Sequence, residues 1–523
     1  MAILLRSINK QSQNFSKFLR LDFINNSRLN PRCVNFHTSD IDKQSSYISD
    51  KAYINGKWIS TDKTFEVYNP FNEEVIGSSA DCDVGLAETA IEAADNALGP
   101  WKGMTAKERS NIMKKWYDLI MKDKDGLAEL VTLENGKPIL QSATEILYAA
   151  SFVEWYAEEG KRTYGITMPT VLSGKKMMTL KQPIGVVSMI TPWNFPAAMI
   201  TRKACAALAA GCTVILKPSE ETPFSALAFA KLAEDAGLPP GVLNIIPSSR
   251  SNVASVGELL CSHPSIAAVS FTGSTATGKV LLRHAASTVK KMSLENGGNA
   301  PFIVFDSSDI KKAVQGALAC KFRYSGQTCI CANRILVQSG IHDEFVAQLA
   351  KAIKNELIIG NGMDSRTTFG PLINAAAVNK VEEQVNDAVK HGANVVVGGS
   401  RSSIGKNLYE PTLLTGVTTA MQCCQYETFG PIAPIVKFHS EEEAIEIANN
   451  TTSGLAGYVY SGDVAQCWRV AENLEYGVVG INEGLISAAE APFGGYKESG
   501  LGREGSIYGM DEFMEVKYLC WGV

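Results

Sequence analysis

Between residues 184 and 305 no strand-like run is followed by a GxGxxG fingerprint, no CxxC pair occurs anywhere, and 523 residues carry only six histidines. The missing CxxC and the dilution of twelve scattered cysteines argue against a disulfide-built fold and a zinc ribbon. No metal site is expected. Net charge is only −5, so nothing points to nucleic acid, and a mildly acidic surface is a poor polyanion binder. No segment reaches about eighteen uninterrupted apolar residues, so no membrane insertion is expected.

The first 39 residues differ from the rest. Arg6, Lys10, Lys17, Arg20, Arg28 and Arg32 face one acid, Asp22, among many Ser and Asn. An Arg-rich, acid-poor, amphipathic start has the composition of an organelle transit peptide, and we read residues 1–45 as a mitochondrial one. A disordered basic tail is the bland alternative. No repeat or low-complexity segment follows.

From 184 to 305 short apolar runs alternate with helical ones. "GVVSMI", "TVILKP", "VLNIIP", "AAVSFTG" and "KKMSLE" read as strands, and the stretches between them as helices, two of them ended by Gly211 and Gly237. Such alternation predicts an α/β fold with a doubly wound parallel sheet. A second α/β run follows, including a helix over about 309–324 and strands at "RILVQ", "APIVKF", "AGYVYS" and "GVVGIN". Residues 164–182 and the tail "FMEVKYLCWGV" belong to neither run and read as strand pieces able to pair across subunits.

Four short stretches could carry chemistry. "FTGSTATGKV", 271–280, has P-loop-like spacing, but Val280 stands where a magnesium-binding hydroxyl is needed. As a strand end entering a helix N-terminus it can still approach phosphate through Gly273 and Ser274, or be a simple turn. Cys329 in "SGQTCICANR" can be a nucleophile if a positive setting lowers its pKa, or an ordinary small residue. Glu295 in "SLENGGNAP" can be a general base or a surface acid in a turn. Asn194 in "TPWNFP" can donate to an oxyanion or simply shape a turn.

In order along the chain, "PWNFP", "KPSEETP", "FTGST", "ENGGNAP", "GQTC", "ETFGP" and "PFGGYKESGLGREG" resemble the aldehyde dehydrogenase superfamily from about residue 50 to the C-terminus. The resemblance implies that Cys329 is the nucleophile, Glu295 the base and Asn194 the oxyanion amide. It implies NAD as cofactor. Lys217 and Glu220 would hold the adenine ribose, Gly273, Ser274 and Gly278 the pyrophosphate turn, and Glu427 and Phe429 the nicotinamide ribose. A Glu at 220 accepts from free ribose hydroxyls and repels a 2′-phosphate. Asn296 departs from the family, which usually has Leu or Met there.

Within the superfamily, "KFRYSGQTCICANR" and "NEGLISAAEAPFGGYKESGLGREGS" resemble the succinate-semialdehyde dehydrogenases, whose reaction ends 4-aminobutyrate degradation. That likeness implies a carboxylate clamp of Arg202, Arg323 and Ser487, because Arg presents a planar fork of donors. Positions alone leave surface or ion-paired arginines as an equal alternative. A neutral aldehyde is expected to leave buried arginines unpaired. The likeness also implies a redox-regulatory Cys331, a mitochondrial matrix location and a homotetramer.

The expected organisation is an NAD domain over 46–163 and 184–298, a catalytic domain over 299–498, and oligomerisation segments at 164–183 and 499–523. Rival functions are a dehydrogenase for glutarate semialdehyde, a general aliphatic aldehyde dehydrogenase, and a catalytically silent binding protein.

Overall fold

The computed structural model describes residues 47–523, and the expected transit peptide lies outside them. Burial dictates the main elements. Strands β1 (Lys51–Ile54) and β2 (Lys57–Ser60) form a hairpin at one edge of an eight-stranded sheet. Its centre holds β3 (Val186–Ile190), β4 (Thr213–Lys217), β5 (Leu243–Ile245), β6 (Ile266–Thr272) and β7 (Lys291–Glu295). All five residues of β4 are buried, as a parallel strand covered on both faces requires.

The order is β2-β1-β5-β4-β3-β6-β7, closed at the far edge by Gly500–Leu501. β5 to β7 are parallel, and only the edges are antiparallel. From β3 the chain steps through β4 and β5 on one side, then returns to β6 on the other. The gap between β3 and β6 is therefore the switch point, and their carboxyl ends flank a crevice where ligands of such sheets bind.

Helix α1 (Lys124–Asn135) and helix α2 (Ile139–Glu159) pack beside α3 (Ala198–Ala210) and α4 (Pro223–Asp235). Helix α3 ends at Gly211, whose φ of 100° suits glycine. Two buried acids fix where α3 and α4 begin. Glu145 accepts from the N–H groups of Ala197 and Ala198, and Glu134 from those of Phe224 and Ser225. Each carboxylate thus satisfies orphan donors at a helix N-terminus. Helix α5 (Val253–Ser262) and helix α6 (Thr275–Ala285) complete the layers.

The second sheet has seven strands: β8 (Ala300–Val304), β9 (Ala332–Gln338), β10 (Asn394–Val397), β11 (Thr412–Thr415), β12 (Ile432–Phe438), β13 (Ala456–Tyr460) and β14 (Val478–Ile481). Its order is β10-β11-β12-β9-β8-β13-β14, parallel except for β10. Helices α7 (Ile310–Phe322) and α8 (Ala375–Lys390) belong to this half. Separate apolar clusters cover the faces of both sheets. Each fully buried Val, Ile or Leu in them contributes about 1.5–3 kcal/mol.

One reading is corrected. The helix expected to reach 324 stops at Phe322, because Tyr324 and Ser325 take left-handed φ of 46° and 53°. Lys175–Pro183 pairs antiparallel with Met514–Gly522 within the chain, over the full length of both strands. Gly500–Leu501 joins the first sheet against Leu294 and Glu295. Among the described residues no helix is long and apolar enough to cross a membrane.

Candidate active site

A cavity of about 260 Å³ opens at the carboxyl ends of β3, β6 and β7. Asn194, Arg202, Gly273, Ser274, Arg323, Cys329, Glu427, Phe429 and Ser487, read from distant stretches of sequence, all line it. Glu295 sits one residue from the lining at the end of β7 and is only 2% exposed, which removes the surface-acid alternative. Cys331, two residues after Cys329, is buried. Lys217, Glu220 and Gly278 lie off the lining.

Asn194 follows β3 in a braced loop. Asn135 Nδ2 donates to the Trp193 carbonyl at 2.6 Å, and Lys137 Nζ to the Asn194 carbonyl at 2.9 Å. Lys137 is itself held by a buried ion pair with Glu145 and lies over the Phe195 ring. The Asn194 amide donates to the Gln327 carbonyl at 3.0 Å, two residues before Cys329. So the side chain that could serve an oxyanion is rigid and already aimed at the Cys329 loop.

That loop is crowded. Gly326, at φ 79°, lies so close to the Gly430 carbonyl that a Cβ would come within 2.1 Å. The two glycines after Glu295 have equally local reasons. A Cβ on Gly298 would meet the Cys329 carbonyl oxygen at 2.5 Å, and one on Gly297 would meet Glu427 Oε2 at 2.5 Å. The Gly298 N–H donates to Glu427 Oε1 at 2.9 Å. Glu427 is thereby fixed beside the cavity, with Phe429 edge-on to Trp193 at 5.5 Å.

Two effects compete at Cys329. Burial pushes its thiol up to about 12, and Arg202 pulls the other way without prevailing. Glu295 is raised to about 8, first by burial and then by Glu504, against the pull of Arg202, Lys203 and Arg503. Both of its carboxylate oxygens lack a hydrogen-bond partner among the described residues.

Arg202 is buried and ion-paired. Its Nε meets Glu504 Oε2 at 2.5 Å, while Lys203 holds the other oxygen of the same carboxylate. The expectation that a neutral ligand would leave this arginine unpaired is therefore corrected: Glu504 already offsets its charge. Its Nη2, however, is buried and has no partner among the described residues. Arg323 lies against the Phe195 ring at 5.0 Å on the cavity wall.

Residues 58–519 match the aldehyde dehydrogenase family. The chain belongs to that family. Among aldehyde dehydrogenases it is 57% identical to the mitochondrial succinate-semialdehyde dehydrogenase of Rattus norvegicus, covering 92% of both chains. It is 52% identical to the glutarate-semialdehyde dehydrogenase of Pseudomonas aeruginosa, covering 92% of this chain and 99% of that one. A solved structure described as an E. coli NADP dependent enzyme superposes with a TM-score of 0.90 at 51% identity, over 92% of this chain and 99% of the other. A betaine aldehyde dehydrogenase from Staphylococcus aureus in complex with NAD+ gives 0.89 at 35% identity, over 92% and 97%.

The turn at Gly273 and Ser274 has a visible local logic. Ser274 caps α6 by accepting from the Thr277 N–H, and Lys279 pairs with Glu498 rather than facing the cavity. Gly278 packs against Asn296, whose Oδ1 a Cβ there would meet at 2.4 Å. Asn296 Nδ2 donates to the Glu498 carbonyl, and its buried Oδ1 has no partner among the described residues.

Lys203, Glu504, Lys380 and Tyr148 were missed in the sequence. Two adjacent cations inside the Ala-rich, wholly buried helix α3 were the legible signal for the first two. Lys380, at the cavity near Glu427, sits on an amphipathic helix with nothing to mark it.

Proposed function

We propose that this family member oxidises succinate semialdehyde to succinate with NAD. The observation that carries the reading is Arg202 Nη2, a buried donor without a hydrogen-bond partner among the described residues, on a cavity wall shared with Arg323, Ser487 and Cys329. A distal carboxylate supplies the acceptor such a group requires. Arg202, Lys203 and Glu504 together hold two cations against one anion, with Glu295 protonated below about 8. The surplus positive charge favours an anionic substrate.

The cofactor site fits a dinucleotide on three grounds: the α6 N-terminus beside Gly273, Glu427 facing Gly297 and Gly298, and the buried Thr272 hydroxyl and Asn296 Oδ1, which have no partner among the described residues. Glu220 sits near the buried Lys217 ammonium, which donates to the Pro218 carbonyl at 2.6 Å. An acid there favours the free 2′-hydroxyl of NAD, although a relative at 51% identity is described as NADP dependent. Glu220→Ala should narrow the preference for NAD over NADP.

NAD supplies the hydride acceptor. The Cys329 thiol proton leaves to a water in the cavity as the sulfur attacks the aldehyde carbon, with Arg202 favouring the thiolate against burial. The Asn194 amide and the Cys329 backbone N–H hold the oxyanion in a site that excludes bulk water. Once the acyl group is carried by the Cys329 sulfur as a thioester, Glu295 takes a proton from water, which attacks and releases the acid. The basic segment 1–45 and the naming of the rat relative support a mitochondrial location. Pairing of Lys175–Pro183 with the tail leaves Val516, Tyr518 and Trp521 exposed, which supports assembly into a homotetramer.

The test compares NADH formation from succinate semialdehyde and from butanal, which has the same length but lacks the carboxylate. A strong preference for the acid, lost in Arg323→Ala, is expected. Equal rates would make this a general aldehyde dehydrogenase. Because one methylene changes binding by only about 1–3 kcal/mol, glutarate semialdehyde belongs in the same assay.

A further inference from the structure

Helix α2 runs one stripe of side chains along the active site. Gln141 accepts from the Tyr324 N–H at the bend before the nucleophile, and Glu145 caps α3. Tyr148 lines the cavity, and Phe152 packs edge-on to Tyr148 at 4.8 Å. Spacings of three and four residues place all of them on one helix face. The first two have structural partners that explain them. Tyr148 is half-buried and puts a phenol in the cavity.

Tyr148, Arg202, Arg323 and Cys329 line one cavity, and Arg202 is the charged group that acts most strongly on the Tyr148 phenol. Burial keeps the phenol proton in place, raising its pKa against the pull of Arg202 and Arg323. A guanidinium has five donors and no acceptor. The phenol oxygen can therefore accept from Arg202, but the phenol O–H must find its acceptor elsewhere. The edge-on contact with Phe152 limits where the ring can turn.

We propose that the Tyr148 hydroxyl is a further substrate-binding donor, giving its hydrogen bond to the distal carboxylate of the semialdehyde beside Arg202 and Arg323. This rests on the clamp reading above. It also makes the clamp selective for a group that accepts several bonds at once, since a carboxylate offers about four lone-pair sites and no donor. A distal amide or alcohol would accept fewer.

The experiment uses the full chain with Tyr148→Phe, which keeps the ring and its packing. Three quantities are read: KM for succinate semialdehyde, the ratio of kcat/KM for succinate semialdehyde to that for butanal, and competitive inhibition by succinate. A rise in KM and in the succinate inhibition constant of about ten-fold, with the ratio falling by a similar factor, is expected. An equal fall for both aldehydes would mean that the ring only supports α2 against α3, and would overturn the proposal. No change in Tyr148→Phe, with the ratio lost in Arg323→Ala, would overturn it while leaving the clamp intact. No change in either variant would overturn the clamp as well.

Discussion

Arg202 Nε and Glu504 Oε2 lie 2.5 Å apart, both residues nearly inaccessible to solvent, and Lys203 binds the other oxygen of the same carboxylate. Burial alone would raise the Glu504 pKa, but Lys203 and Arg202 together hold it below the usual carboxylate range. One acid from the C-terminal segment thus anchors two cations of α3, one of which also faces the substrate cavity. Glu504→Gln would leave both cations without their buried anion. The expected loss is about 3–5 kcal/mol of unfolding free energy, read from urea denaturation. A loss below about 1 kcal/mol would show that the site relaxes to accommodate the charge.

Glu295 titrates near 8, mainly because it is buried. Its protonated form dominates below that pH and cannot accept a proton from water. Turnover limited by thioester hydrolysis should therefore rise as pH increases through about 8. Glu295→Gln should keep a single burst of NADH per site and lose steady-state turnover. A burst-free, fully inactive variant would place the need for Glu295 before acyl transfer.

Asn194 is held at its backbone by Lys137 and at its amide by the Gln327 carbonyl. Asn194→Ala should lower kcat by about 10²–10³ with little change in KM, because the oxyanion exists only in the transition state. An equal loss in substrate binding would assign the amide to the ground state.

Gly298 and Gly297 separate two functions by one residue. Gly298→Ala drives a Cβ toward the Cys329 carbonyl and should depress kcat, whereas Gly297→Ala drives one toward Glu427 and should weaken NAD binding measured by calorimetry. Identical effects of the two changes would show that the segment moves as a unit.

Cys331 is buried, and its N–H donates to the Thr328 carbonyl at 2.9 Å in the same turn as Cys329. If the pair closes a reversible disulfide, peroxide should inactivate the enzyme, a dithiol should restore it, and Cys331→Ala should resist. An unchanged response in that variant would remove the switch.

Periodicity and turn chemistry specified much of the architecture. Buried β-rich runs alternating with Ala-rich helices dictate parallel sheets, and Gly211 ends α3 because a left-handed residue must stand there. Ordered motifs also brought Cys329, Glu295 and Asn194 to attention. What the sequence could not express is which charges meet. Glu504 and Arg202 are 302 positions apart, so no local pattern pairs them. The direction of the Cys329 pKa shift was open for the same reason: whether burial or the Arg202 charge prevails depends on groups far apart in sequence, and burial prevails. The sequence by itself determined the element types, the two α/β runs and the nucleophile motif, because these depend on residue type and short spacing. Only the tertiary structure decided that Tyr148, Arg202, Arg323 and Cys329 share one cavity, because that follows from where the switch point of the sheet lies and what folds back across it.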